Sequence, residues 1–320
     1  MLKEKVESAA KRIGQYIHRT DCIQSPYYSE KTGANVFLKL ENLQHTGSFK
    51  ARGALNKVLS LQDSDREKGV VTASTGNHGA AVAYAASIVG TTARVFVSET
   101  ASQNKVEAIR RLGADVITFG NDPVEAENEA RRYADSGGFV FVSPYNDIEV
   151  VAGQGTIGSE IADQVRGIDA VYVAVGGGGL ISGIGGYLKS VSPETEIVGC
   201  SPENSKVMIQ SVELGELHGD LPSKPTLSDG TAGGIEDGSI TFDLCRKYVD
   251  RYVSVEEDEI AKCLKEFLDV HHMLIEGAAA VPIAALYREG KDLAAKNVVL
   301  VICGANIGTE KLREVLSAER

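Results

Sequence analysis

Missing from this 320-residue chain are any C-x-x-C spacing, any basic stripe, any long apolar run and any nucleotide-loop signature. Its five cysteines, Cys22, Cys200, Cys245, Cys263 and Cys303, are odd in number and widely spaced, which argues against a disulfide framework or a zinc knuckle. A reducing compartment fits, and a cytoplasmic protein is expected. No stretch approaches the roughly 18 apolar residues of a membrane span, and the N-terminal MLKEKVESAAKR lacks an apolar signal core. With a net charge of −11, neutralisation of nucleic-acid phosphates is excluded as a function. Neither a membrane nor a nucleic-acid partner is expected.

What is present is the composition of an ordinary soluble enzyme, 43% hydrophobic and 24% charged, long enough for two lobes. Short β-rich runs at Val70 to Thr72, Ala93 to Val97, Asp115 to Phe119, Phe139 to Val142, Ala170 to Val175, Glu196 to Cys200 and Asn297 to Ile302 alternate with helical patterns. That alternation predicts an α/β protein with open, mostly parallel sheets and helices on both faces. Polar connections at Gln62 to Gly69 and Ser143 to Asp147 look like crossings between lobes. They suggest a small α/β domain, residues 70–145, inserted into a larger one built from 1–63 and 147–320. Glu213 to Gly238 is the least regular stretch and reads as a long functional loop.

Four loops each follow an apolar run and precede a helical pattern, where open α/β sheets place ligands. In the first, Lys50 falls in the opening turn of a helix behind a Thr46-Gly47-Ser48 cap. Helix N-termini favour anions, so a lysine there implies another use for its amine. The second, Ser74-Thr75-Gly76-Asn77-His78-Gly79, collects hydroxyls, an amide and helix-end N–H groups suited to a carboxylate, or else simply caps a helix. In the third, Gly176 to Gly179 let the backbone approach a phosphate closely. A dinucleotide loop does not fit there: G-x-G-x-x-G begun at Gly176 ends on Ile181, and begun at Gly177 on Ser182. With no G-K-[ST] in the chain either, a small phosphate-bearing cofactor outranks NAD or ATP. The fourth loop is Cys303-Gly304-Ala305-Asn306.

The segments SFKARGA, STGNHG, GGGGL and CGAN, in this order and spacing, resemble those of the fold type II pyridoxal phosphate enzymes, and among them the serine/threonine dehydratase and serine racemase group. The resemblance runs from Tyr16 to Thr309. It implies a two-lobed fold and pyridoxal 5'-phosphate as cofactor, with Lys50 forming the Schiff base and then serving as base at the substrate α-carbon. Phe49 would lie against the cofactor ring, Asn77 would bond the ring hydroxyl, and Gly176, Gly177, Gly178, Gly179 and Leu180 would hold the phosphate. Cys303 would face the pyridine nitrogen, which a neutral thiol cannot protonate as an aspartate would, so expulsion of a β-leaving group is favoured over a long-lived carbanion. Glu276 resembles the family's acidic residue near the cofactor. Ser74, Thr75, Gly76, Asn77, His78 and Gly230 would bind substrate, with Asp229-Gly230 matching a family pair in the loop lining the site.

Three departures separate this chain from the racemases. Thr75 stands where that subgroup places a serine as second base. Ser201 and Val207 stand where its cation loop is acidic, so no metal site is expected. Ala126 stands where an arginine accompanies racemisation. The implied activity is that of an ammonia-lyase converting L-serine, L-threonine or a related β-hydroxy α-amino acid to a 2-oxo acid and ammonia, as a homodimer or homotetramer. Alternatives are a serine racemase, a dehydratase of a bulkier substrate such as 3-hydroxyaspartate or phenylserine, and an amino-acid-binding protein that has lost catalysis. With no regulatory domain after Arg320, feedback control of the two-domain type is not expected.

Overall fold

The computed structural model describes residues 1–317. Among them, ten strands make two sheets: β1 (Cys22–Gln24), β2 (Asn35–Lys39), β3 (Val70–Ala73), β4 (Ala93–Val97), β5 (Asp115–Thr118), β6 (Val140–Phe141), β7 (Ala170–Ala174), β8 (Glu196–Pro202), β9 (Arg251–Val255) and β10 (Asn297–Val301). The larger sheet has the order β1-β2-β10-β7-β8-β9, and only its β1–β2 pair is antiparallel. The smaller, β5-β4-β3-β6, is parallel throughout.

Apolar runs became strands where both faces are covered. All five residues of β7, AVYVA, are buried, as are the last four of β10, VVLV, which is the near-continuous apolar pattern of a parallel sheet under helices. Three strands were not foreseen. β1 has only three residues, β2 alternates in burial, and β9 is a partly exposed edge, so none presents such a run. Between the Val207–Leu214 and Ile240–Tyr248 helices the chain is irregular apart from a 3-10 turn at Asp229–Thr231.

The Lys50–Ser60 helix joins the two halves. Its Ala54, Leu55 and Val58 enter the core of the smaller sheet beside Ala81, Val82 and Ala85 of the Asn77–Val89 helix. Its other side meets the Ile148–Gln164 helix in backbone contact: a Cβ on Gly153 would come 2.6 Å from the Gly53 Cα, and one on Gly53 would come 2.2 Å from Gln154 Nε2. Two residues after Lys50, Arg52 is fully buried. Its Nε and Nη2 donate to the two Glu41 oxygens at 2.7 Å each, and its Nη1 and Nη2 donate to Glu160 at 2.6 and 3.0 Å. Lys39, also buried, donates to Glu160 at 2.5 Å and to the Thr20 carbonyl at 2.6 Å, so two cations face two carboxylates.

Removing one member of a buried pair leaves the other charge uncompensated, at a cost of roughly 3–5 kcal/mol, whereas surface pairs contribute about 0–1 kcal/mol. Glu41→Ala is therefore expected to lower the unfolding free energy by about 3–5 kcal/mol in denaturant titration. Loss of the exposed Lys3–Glu7 pair through Glu7→Ala serves as comparison. Similar effects of the two substitutions would show that Arg52 is not clamped as described.

Candidate active site

A cleft of about 420 Å³ opens where strands of both sheets end at their carboxyl edges. Ser74 follows β3, Gly176 follows β7 and Cys303 follows β10. Phe49, Lys50, Ser74, Thr75, Gly76, Asn77, His78, Gly176 to Leu180, Gly230, Glu276 and Cys303 all line it, so every candidate site residue converges on one cavity.

The loop before Lys50 is built differently from the expected cap. Thr46 is left-handed at φ 61°, Ser48 is extended and bridges to Gly304, and Phe49 occupies the N-cap position without a side-chain bond. What holds the loop is the Cys303–Asn306 segment: Phe49 N donates to the Cys303 carbonyl at 3.1 Å and Ala305 N to that of Gly47 at 2.9 Å. Lys50 Nζ then reaches across the cleft to the Pro144 carbonyl at 2.8 Å. Its side chain keeps some access to the cleft, yet the surrounding protein is dense. Burial brings its ammonium down to about 8, a fall that Cys303 and Glu276 partly oppose.

Glu276, at the N-cap of the Gly277–Glu289 helix, is buried. Burial pushes its carboxyl up, while hydrogen bonds from Asn77 and Asn306 pull the other way. Asn77 Nδ2 lies 3.0 Å from both Glu276 oxygens, and Asn306 N donates to Glu276 Oε2 at 3.1 Å. Asn306 Nδ2 also donates to Asn77 Oδ1 at 2.6 Å and to the Thr46 carbonyl at 2.8 Å. Asn306 thus links three loops. The CGAN motif contained it, but no role for it was read from sequence. Gly230 backs this group, since a Cβ there would lie 3.2 Å from Glu276 Oε1, and neighbouring Asp229 pairs with Lys311.

Two other titratable groups are kept neutral. His78 Nε2 faces the Val142 carbonyl at 2.9 Å; a carbonyl only accepts, so the proton sits on Nε2. Burial, then the nearby Lys50, push His78 down to about 3. Burial raises the Cys303 thiol well above its ordinary value, with Glu276 adding to the rise.

A phosphate-bearing ring with an aldehyde fits this cavity. The amides of Gly176, Gly177 and Gly178 find no acceptor among the described residues. The 13-residue Gly179–Val191 helix begins directly behind them, with Gly178 left-handed at φ 81°. A Cβ at Gly176 would come 2.8 Å from the Thr231 Cα, at Gly177 2.4 Å from the Tyr145 ring, and at Gly178 2.8 Å from Cys245 Sγ. Only glycine leaves these amides open to an anion. Pro144 and Tyr145, read from sequence as a lobe crossing, are thereby part of the cavity wall.

The sequence profile of the family described as "Pyridoxal-phosphate dependent enzyme" matches residues 13–304. An L-threonine ammonia-lyase of Thermotoga maritima is 42% identical over 98% of this chain and 78% of its own length. The processed form of threonine deaminase isoform 2 from Solanum lycopersicum superposes with a TM-score of 0.93 at 33% identity, covering 98% of this chain and 92% of that one. Serine racemase from Dictyostelium discoideum superposes at 0.89 with 34% identity, covering 95% and 98%.

Because burial disfavours the ammonium, the reactive free amine of Lys50 is expected to appear as pH rises through about 8, below the roughly 10.4 of an unperturbed lysine. Competitive acylation of the cofactor-free chain across pH, read by peptide mapping, measures this. A Lys50 profile coinciding with that of ordinary lysines would contradict the desolvated amine.

Proposed function

Because this chain belongs to the pyridoxal-phosphate-dependent enzymes, we propose that it is an ammonia-lyase, a dehydratase taking L-threonine, L-serine or a related β-hydroxy α-amino acid to a 2-oxo acid and ammonia. The observation that carries this reading is the convergence of a desolvated lysine amine, a loop suited to a carboxylate and a neutral thiol on one cleft. Pyridoxal phosphate, when bound, supplies the electron sink that makes the substrate α-proton removable.

The chain's own groups divide the remaining work. Lys50 would hold the cofactor aldehyde; Gly176 to Leu180 would hold its phosphate, and Phe49 and Asn77 would position the ring, with Glu276 behind Asn77. The Ser74–His78 loop opens the Asn77–Val89 helix, whose first-turn amides lack intrahelical acceptors and suit the substrate carboxylate. Ser74 Oγ accepts from Gly76 N at 3.1 Å and fixes the shape of that loop. Lys50 Nζ, freed when the substrate amine takes its place, would take the α-proton and return it to the departing β-hydroxyl, which would leave as water, and the released unsaturated amine would be hydrolysed by a second water to the oxo acid and ammonia. Cys303, its thiol kept undissociated by burial, would face the pyridine nitrogen as too weak an acid to protonate it, which would favour elimination over reprotonation.

Thr75 supports the same choice. It lines the cleft, but its β-branched side chain is stiff at χ1 and less able to aim a hydroxyl as a second base. Ala126, also at the cleft wall, is buried against the smaller sheet and offers no charge. The reading carries with it a cleft between lobes of residues 70–145 and the remainder, and a homodimer or homotetramer in the cytoplasm. No helix among the described residues is long and apolar enough to cross a membrane, and all five cysteines are free.

L-threonine or L-serine is expected to yield oxo acid far faster than D-enantiomer, with no stimulation by magnesium or calcium. Lys50→Ala is expected to lose more than about a thousandfold in turnover. An oxo-acid assay beside chiral chromatography, with and without chelator, tests both expectations. Faster D-amino acid formation, or loss of activity on chelation, would replace this reading with the racemase.

A further inference from the structure

The glycine loop is surrounded closely by neutral side chains. The side chains that Cβ atoms on Gly177 and Gly178 would meet, Tyr145, Met208, Thr241 and Cys245, are all neutral. Binding therefore depends on where the free amides point, and one hydroxyl fixes one of them. Thr241, in the first turn of the Ile240–Tyr248 helix, is fully buried, and its Oγ1 donates to the Gly177 carbonyl at 2.6 Å. A trans peptide turns its C=O and N–H to opposite sides. Holding the Gly177 oxygen on the helix side consequently turns the Gly178 N–H toward the cleft, where it finds no acceptor among the described residues.

The support continues behind Thr241. Its single proton is committed to Gly177, so the 2.8 Å contact with Ser239 Oγ is donated by Ser239, itself buried. On the next peptide, the Gly178 carbonyl accepts from Ser182 N at 3.0 Å and faces Cys245 Sγ at 4.0 Å. Both carbonyls of the loop are thus held on its far side from the cavity.

We propose that Thr241 is a cofactor-positioning residue, its hydroxyl aiming the Gly178 amide at the phosphate of pyridoxal phosphate, with Ser239 orienting that hydroxyl. This rests on Gly176 to Gly179 being the phosphate cradle. It does not concern the ring or Lys50, and that separation makes it testable.

The full chain, stripped of cofactor, is titrated with pyridoxal phosphate and separately with pyridoxal, followed by visible absorbance. Thr241→Val keeps the shape and removes the donor. It is expected to weaken pyridoxal phosphate binding about tenfold or more, as for a lost hydrogen bond serving a charged group. Pyridoxal binding is expected to change less than about twofold, and Thr241→Ser to restore wild-type affinity within about threefold. Equal losses for both ligands, or none for either, would overturn the proposal. Should Thr241→Val not fold, Ser239→Ala is read in the same assay: a phosphate-selective loss supports the proposal, and its absence overturns it. A wild-type chain with no preference for the phosphorylated ligand would instead overturn the cradle itself.

Discussion

Arg52, wholly enclosed between two carboxylates, is the fixed point from which the site is built. Its guanidinium spans Glu41 and Glu160 and ties to both the helix whose first residue is Lys50. Taking four charges out of water is costly, and apolar residues of the same volume could hold the helix as well. What the ionic group adds is direction. Its hydrogen bonds fix where the helix starts and therefore where the Lys50 amine enters the cleft, while the Gly53–Gly153 contact fixes how deep the helix lies.

Close to that amine several polar groups are neutral or engaged. His78 and Cys303 are kept neutral by burial, the glycine loop offers amides instead of cations, and Glu276 is engaged by Asn77 and Asn306. Lys50, brought down to about 8 by burial, is on the proposed reading the group left able to take a proton. On the proposed reading the same economy bears on reaction choice: a ring nitrogen facing the undissociated Cys303 thiol would spread negative charge less far than one facing a carboxylate, leaving the α-carbon little time to be reprotonated from its other face.

Much of this was legible in the sequence because it is local. The glycine run, the polar STGNHG turn and the cysteine loop each follow an apolar strand within a few residues, and parallel sheets put such turns at one edge. Strands β7 and β10 were readable because both faces are buried; β1, β2 and β9 were not, being short, alternating or at an edge. What stayed hidden is contact between distant segments. Nothing near Arg52 reveals Glu160, and nothing near Gly177 reveals Thr241. The Thr46-Gly47-Ser48 cap was misread for the same reason: the loop is held by backbone bonds to residues some 250 positions away, which no local capping rule detects.

The central claim, that one desolvated lysine at the head of the Lys50–Ser60 helix carries the cofactor, is tested most directly by borohydride reduction of the purified protein followed by peptide mapping. The pyridoxyl group is expected on Lys50. Its appearance on Lys105 or Lys311, the other two lysines at the cleft wall, would contradict the claim.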